Sequence, residues 1–290
     1  MHDTAALYIV GNMTQPIHSE EGWFVLHIFY TVDRRQWKRS SEDEKEAAQK
    51  ALEETLRNFT QPENCQAHCY SVWGHKADLA LLLVDPDLDR LNQAENDVLA
   101  CFPDGVLQPT YSFVSMSEIS EYMSQEKDHD KMLRKQGLSP DSQEYGQKME
   151  AFRQRMGHYI NERLHPQLPE HRVMCFYPMN KKRGEAVNWY HLDFDNRKAH
   201  MAGHMITGRK YAGKVQQLVT GSVGLDAWEW GVTLFSNDPF FLKKIVYEMR
   251  FDEVSAVYAE FGDFMVGLHM EPDGLFERLR LTTRRTVSAS

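Results

Sequence analysis

The sequence predicts an α+β fold: two ferredoxin-like repeats in one chain, with antiparallel sheets and helices outside them. Stretches about 150 residues apart read alike, which marks a duplicated unit. In each, an apolar strand pattern stops at Asp-Pro and a helical pattern follows, because Asp caps a helix start and Pro suits its first turn. The order strand, helix, strand, strand, helix, strand also occurs twice.

In the first repeat, residues 23–30 (Trp23 to Tyr30) read as a strand and lead to a helix over 42–58. Tyr70-Ser71-Val72-Trp73 is strand-like, and Trp73-Gly74-His75-Lys76-Ala77-Asp78 opens the apolar run Leu79 to Val84. After Asp85-Pro86, residues Leu88, Leu91, Ala94 and Val98 recur with a helical period, and Tyr111 to Met116 makes the last strand. In the second repeat, Val173 to Tyr177 is the opening strand and 195–207 the helix. Tyr211 to Ser222 is strand-like, with glycines that allow close backbone approach. Trp228-Glu229-Trp230-Gly231 then precedes the strand Val232 to Phe235 and the turn Asp238-Pro239. A helix carrying Phe241, Ile245, Val246 and Met249 and a strand from Phe264 to Leu268 complete it. The repeats span 18–125 and 170–271, and 126–169 is a polar, helical connector placed as a lid. Residues 1–17 and 272–290 are expected to be loosely ordered polar tails.

Hydrophobic residues at 42% and charged residues at 26% fit an ordinary globular chain, long enough to bury a core. A net charge of -9, with no basic run longer than Lys181-Lys182-Arg183, excludes a broad nucleic-acid-binding field. An anionic partner therefore needs a local pocket. No apolar run approaches the roughly 20 residues of a membrane span. The four cysteines lack paired C-x-x-C spacing and no charged-then-apolar leader opens the chain, so a reducing, cytoplasmic location is expected. Cys65, His68 and Cys69 are close enough in sequence for a metal knuckle, but a strand turns alternate residues to opposite faces, which favours free thiols.

Chemistry concentrates in the second repeat. A helix from Asp195 to Gly208 places His200 and His204 four residues apart on one face. Met201 stands where a zinc protease has Glu, so that chemistry is disfavoured, and the spacing alone leaves a solvated pair and a ligand pair both open. Asn188-Trp189-Tyr190 and Phe176-Tyr177-Pro178-Met179-Asn180-Lys181-Lys182-Arg183 add aromatic, thioether and basic groups, which serve equally as core, solvated turn or pocket wall.

These last two strings, with Gly208-Arg209-Lys210-Tyr211-Ala212-Gly213-Lys214-Val215-Gln216-Gln217, Glu229-Trp230-Gly231-Val232-Thr233-Leu234-Phe235-Ser236 and Met249-Arg250-Phe251-Asp252-Glu253, resemble the coproheme decarboxylases of the chlorite dismutase-like family. Gly22-Trp23-Phe24, Gly74-His75-Lys76-Ala77-Asp78-Leu79 and Pro109-Thr110-Tyr111-Ser112 extend the likeness through the first repeat. It implies the dimeric α/β-barrel form of the duplicated fold. The implied reaction oxidises two propionates of Fe-coproporphyrin III (coproheme) to vinyl groups, releasing carbon dioxide and giving haem b, with hydrogen peroxide as oxidant. Coproheme is then both substrate and redox centre.

By the same resemblance, His204 rather than His200 is the proximal iron ligand, because it precedes the Gly-Arg-x-Tyr-Ala-Gly-Lys string. A carboxylate on its other nitrogen, from Glu253 or Glu260, would raise its donor strength. Tyr177 carries the radical that takes hydrogen from a propionate, and Lys181 holds the second propionate. Arg163, Tyr122 and Ser255 become propionate contacts, and Met179 and Trp189 line the porphyrin. Gln217 falls where chlorite dismutases place a distal arginine, which argues against chlorite chemistry. The resemblance further implies a homo-oligomer, a ring-shaped pentamer, and transient contact with the coproporphyrin ferrochelatase. A haem-binding protein without catalysis and a haem enzyme of the chlorite dismutase branch are the alternatives.

Overall fold

A computed structural model describes residues 16–282. The first repeat runs β1 (Phe24–Val32), α1 (Arg34–Arg39), α2 (Glu42–Phe59), β2 (Gln66–Trp73), β3 (Leu79–Asp85), α3 (Leu88–Ala100) and β4 (Leu107–Ser117). Local chemistry sets the boundaries. Asp33 caps α1, Ser41 and Glu44 form a reciprocal capping box at α2, and Asp87 caps α3. Helices α4 (Glu126–Lys135) and α5 (Gln143–Leu164) fill the connector. The second repeat runs β5 (Val173–Lys181), α6 (Phe194–Arg209), β6 (Gln216–Gly221), β7 (Trp230–Ser236), α7 (Pro239–Met249), α8 (Glu253–Tyr258), β8 (Ala259–Phe261) and β9 (Met265–Met270), followed by α9 (Pro272–Arg278).

Within the first repeat the strand order is β4-β1-β3-β2, and in the second β6-β7-β5-β9, all antiparallel. Two separate sheets would leave four edges of unpaired backbone groups. The structure joins them: β2 pairs with β9 from Cys69↔Met270 to Trp73↔Val266, and β4 pairs with β6 at Met116↔Gly221 and Ser117↔Thr220. All the described strands except β8 form one closed ring. Residues of one parity, among them Phe29, Tyr70, Leu82, Phe113, Phe176 and Phe235, fill its interior. Gly231 is required there, since a Cβ would lie 2.5 Å from the Phe113 ring. The opposite face of the first repeat packs under α2, α3 and α9, and that of the second under α7.

The C-terminal expectation is corrected. Residues 272–282 are not a loose tail: Leu275 and Phe276 of α9 are buried in the core under α2. Phe276 stacks on Phe102 at 5.7 Å between centroids, and the Trp37 indole donates to the Leu281 carbonyl at 3.0 Å. A short apolar Leu-Phe pair inside a polar stretch shows no periodicity, which hid it. Phe276→Ala is expected to destabilise the fold by about 3–5 kcal/mol in urea unfolding; a change within about 0.5 kcal/mol would mean α9 is only appended. The expected strand over 211–222 is also shorter, because residues 211–214 form a turn before β6. Residues 1–15 and 283–290 of the expected tails lie outside the described residues. Among those described, no helix is long and apolar enough to cross a membrane.

Candidate functional site

Asp193 caps α6 by accepting from the Asn196 backbone N–H. None of the helix's side chains is fully buried, and it packs chiefly on α7 and α8. Its partner α7 instead buries Leu242, Ile245 and Met249 on the sheet. Lys198 of α6 is ion-paired at 2.7 Å with Asp128 of α4, which ties the connector to this helix.

His204 projects from α6 with Nδ1 3.0 Å from Asp252 Oδ2. Facing a carboxylate, Nδ1 is the donor, and in the neutral imidazole that arrangement leaves the lone pair on Nε2; among the described residues Nε2 makes no hydrogen bond. The partner is thus Asp252, and neither Glu253 nor Glu260. Glu253 lies beside His200 instead, 3.3 Å from its Nδ1, and Glu260 is exposed on β8 opposite Asn180. Asp252 is the N-cap of α8: one oxygen accepts from the Ser255 N–H at 2.9 Å while the other holds the imidazole. Burial alone would raise its carboxyl, but the bonds from His204 and Ser255 outweigh that and hold it below the ordinary range. The capping sequence Asp-Glu-Val-Ser was the available signal.

On β5, alternate residues share a face. Met174 and Phe176 point into the ring, and Cys175, Tyr177 and Met179 pack outward with α7. Lys181 continues that outward parity. Tyr177 is 5% exposed and stacks on Phe264 at 4.4 Å. Burial raises its phenol, which stays protonated. Lys181 is buried, with Nζ 4.6 Å from the centre of the Trp189 ring. Burial pushes its ammonium down to about 8, against the pull of Asp252 and Glu229. Trp189 belongs to a small cluster with Tyr122 and Val254, and the Tyr122 hydroxyl accepts from Arg197 Nε at 3.2 Å.

Gln217, exposed on β6, faces the end of α6: its amide nitrogen is 3.4 Å from where a Cβ on Gly208 would lie. It also lines a cavity of about 450 Å³ with Arg163, His165, Gln216 and Phe235. Arg163, in the last turn of α5, donates from one terminal nitrogen to the Glu118 carbonyl, while its buried Nε has no partner among the described residues. One group therefore gathers His204, Asp252, Ser255, Lys181, Trp189 and Tyr122, and Gln217 and Arg163 share a second. Tyr177 and Met179 lie on the strand that Lys181 ends. Sequence reasoning missed Asp252, Phe264 and Arg197, whose roles depend on contacts across many residues.

The sequence profile described as Chlorite dismutase matches residues 44–270. The chain belongs to the chlorite dismutase family. A heme-binding protein from Thermus thermophilus is 39% identical, with 91% of this chain and 98% of that one covered at a TM-score of 0.74. Chlorite dismutase from Candidatus Nitrospira defluvii, in complex with imidazole, superposes at a TM-score of 0.67 with 14% identity, covering 90% and 96% of the two chains. This second likeness supports the α+β fold that the family shares.

Proposed function

We propose that this member of the chlorite dismutase family binds an iron porphyrin against α6 through His204 and converts coproheme to haem b with peroxide. The observation that carries the reading is the outward row Tyr177, Met179, Lys181 on β5, together with the Asp252-held His204 on α6. The residues fit the group: one imidazole is pre-oriented by a carboxylate, with Nε2 unbonded among the described residues, and α6 buries no side chain of its own. Orphaned Arg163 Nε and the Lys181 ammonium offer charge to a tetracarboxylate in a net-acidic chain.

When bound, the iron of the porphyrin would activate peroxide, which is the oxidant. Tyr177, protonated and stacked on Phe264, gives up its phenolic hydrogen and regains one from a propionate. Each propionate loses two electrons in all as carbon dioxide leaves and the vinyl double bond forms, and peroxide is reduced to water. Lys181 pairs with the carboxylate that reacts at its end of the strand. On the extended geometry of β5 it lies about 13 Å along the strand from Tyr177, enough to serve a different part of one macrocycle. Tyr122, Ser255, Met179, Trp189 and Arg163 wall the porphyrin and its propionates. Gln217 polarises peroxide only as a neutral amide, which favours slow turnover that spares the product. A cytoplasmic homopentamer receiving coproheme from the ferrochelatase belongs to the same reading; exposed Phe240, Tyr247 and Phe251 offer apolar surface for assembly.

The first alternative, haem binding without catalysis, is favoured by the heme binding ascribed to the 39% identical Thermus thermophilus protein. Chlorite and peroxide should be given side by side to coproheme-loaded protein. Peroxide is expected to consume coproheme stepwise, and chlorite to give no sustained oxygen; rapid oxygen evolution would assign the chlorite branch instead.

Lys181 also predicts a pH dependence. Free Lys181 titrates near 8, and a bound carboxylate raises that value, so coproheme binds best below about 8. Affinity should then fall by up to about tenfold per pH unit as pH rises above it. Lys181→Met should flatten this limb in binding titrations; an unchanged limb would remove Lys181 from the pocket.

A further inference from the structure

A second cluster of ligand-type side chains stands away from α6, where the two repeats meet. His68 on β2 and His269 on β9 lie on adjacent, paired strands, with rings stacked at 4.4 Å. Glu170, from the segment leading into β5, reaches across both: its two oxygens lie 3.6 Å from His68 Nε2 and 3.6 Å from His269 Nδ1. The three ligand atoms are all within 4.8 Å of one another. These separations are too long for good hydrogen bonds. They are close to the roughly 3.3 Å edge of a tetrahedron with the bond lengths of zinc to nitrogen and oxygen.

The surroundings are built. Gln66 fixes the connector over β2, donating to the Pro166 carbonyl at 2.9 Å and accepting from the Leu168 N–H at 2.7 Å. The His269 N–H donates to the Arg172 carbonyl at 2.9 Å, so Glu170 hangs on a segment pinned at both sides. His68 Nδ1 lies 3.2 Å from the Tyr70 hydroxyl, an orienting contact of the kind metal-bound histidines use, which leaves Nε2 toward Glu170. Both imidazoles are largely shielded, at 11% and 14% side-chain exposure, and the carboxylate, at 77%, is free to swing. The nearby thiols do not take part: Cys65 and Cys69 pack into the opposite face under α2.

We infer that His68, His269 and Glu170 form a second metal site, for a borderline divalent transition ion of the zinc class. Two imidazoles and one carboxylate disfavour calcium and magnesium, which take oxygen ligands, and leave a fourth position for water. The ion ties β2 of the first repeat, β9 of the second and the connector, closing the ring at that seam. Binding only to the folded chain, it stabilises it by linkage.

The test is zinc chloride titration of the chelator-treated, dialysed full chain by calorimetry, alongside thermal melting. A His200→Ala/His204→Ala double variant removes the other histidine pair. One zinc equivalent and a raised melting temperature are expected in the wild type and in this double variant. His269→Ala should weaken that equivalent by more than the roughly 10–100-fold that loss of an outer-shell partner costs. Glu170→Ala, on an exposed side chain, should weaken it by at least tenfold and serves if His269→Ala fails to fold. Zinc binding unchanged in Glu170→Ala, no zinc bound by wild type at micromolar concentration, or zinc lost only in the double variant would each overturn the site.

Discussion

Tyr177→Phe is expected to bind coproheme within a few-fold of wild type and to consume peroxide, yet to form no haem b above that given by peroxide and coproheme without protein. The substitution keeps the ring that stacks on Phe264 and packs with Val232 and Leu234. It removes only an O–H that makes no hydrogen bond among the described residues, so stability should change by less than about 1 kcal/mol. Binding and folding are thereby separated from the hydrogen transfer. Haem b formed at the wild-type rate would take Tyr177 out of the reaction and favour haem binding without catalysis.

The second large effect is expected from His204→Ala. The Asp252 carboxylate, now without its imidazole partner, keeps only the Ser255 cap. Iron spectra of the bound porphyrin should lose the signature of a histidine ligand, and affinity should fall by more than the roughly 10–100-fold typical of losing an outer-shell partner. Added imidazole should restore part of the spectrum. An unchanged spectrum would move ligation elsewhere, first to His200, whose ring lies tilted beside Trp189 and Tyr258 and already faces Glu253.

How far the sequence carried each element follows from the range of the forces involved. The long helices and strands were legible because their signals are local: Asp-Pro ends two strands, and the periods of α3 and α7 follow at once. Closure of the ring was not legible in the residue pattern and entered only through the barrel form that the resemblance implied, because β2–β9 and β4–β6 join residues of different repeats and edges look alike in composition. Short helices were missed for a related reason. α8 has six residues and α9 seven, too few for a period to show, and their identity rests on caps and on Leu275 and Phe276 finding a core.

The site divides in the same way. His204 was singled out from His200 by the motif that follows it, whereas spacing alone left both open. Its partner was sought among the glutamates, but Asp252 reaches it because the start of α8 aims one carboxylate oxygen at a backbone N–H and the other at α6. Lys181 was legible as a basic residue but not as a buried one; the Trp189 face and Glu229 that surround it come from other segments.

The most direct measurement is mass spectrometry of the porphyrin recovered after stepwise addition of peroxide to the coproheme-loaded protein. Two successive losses are expected, each equal to carbon dioxide plus two hydrogens, passing through a three-propionate species and ending at haem b. Porphyrin recovered at the mass of coproheme, or degraded without either loss, would contradict decarboxylation at this site.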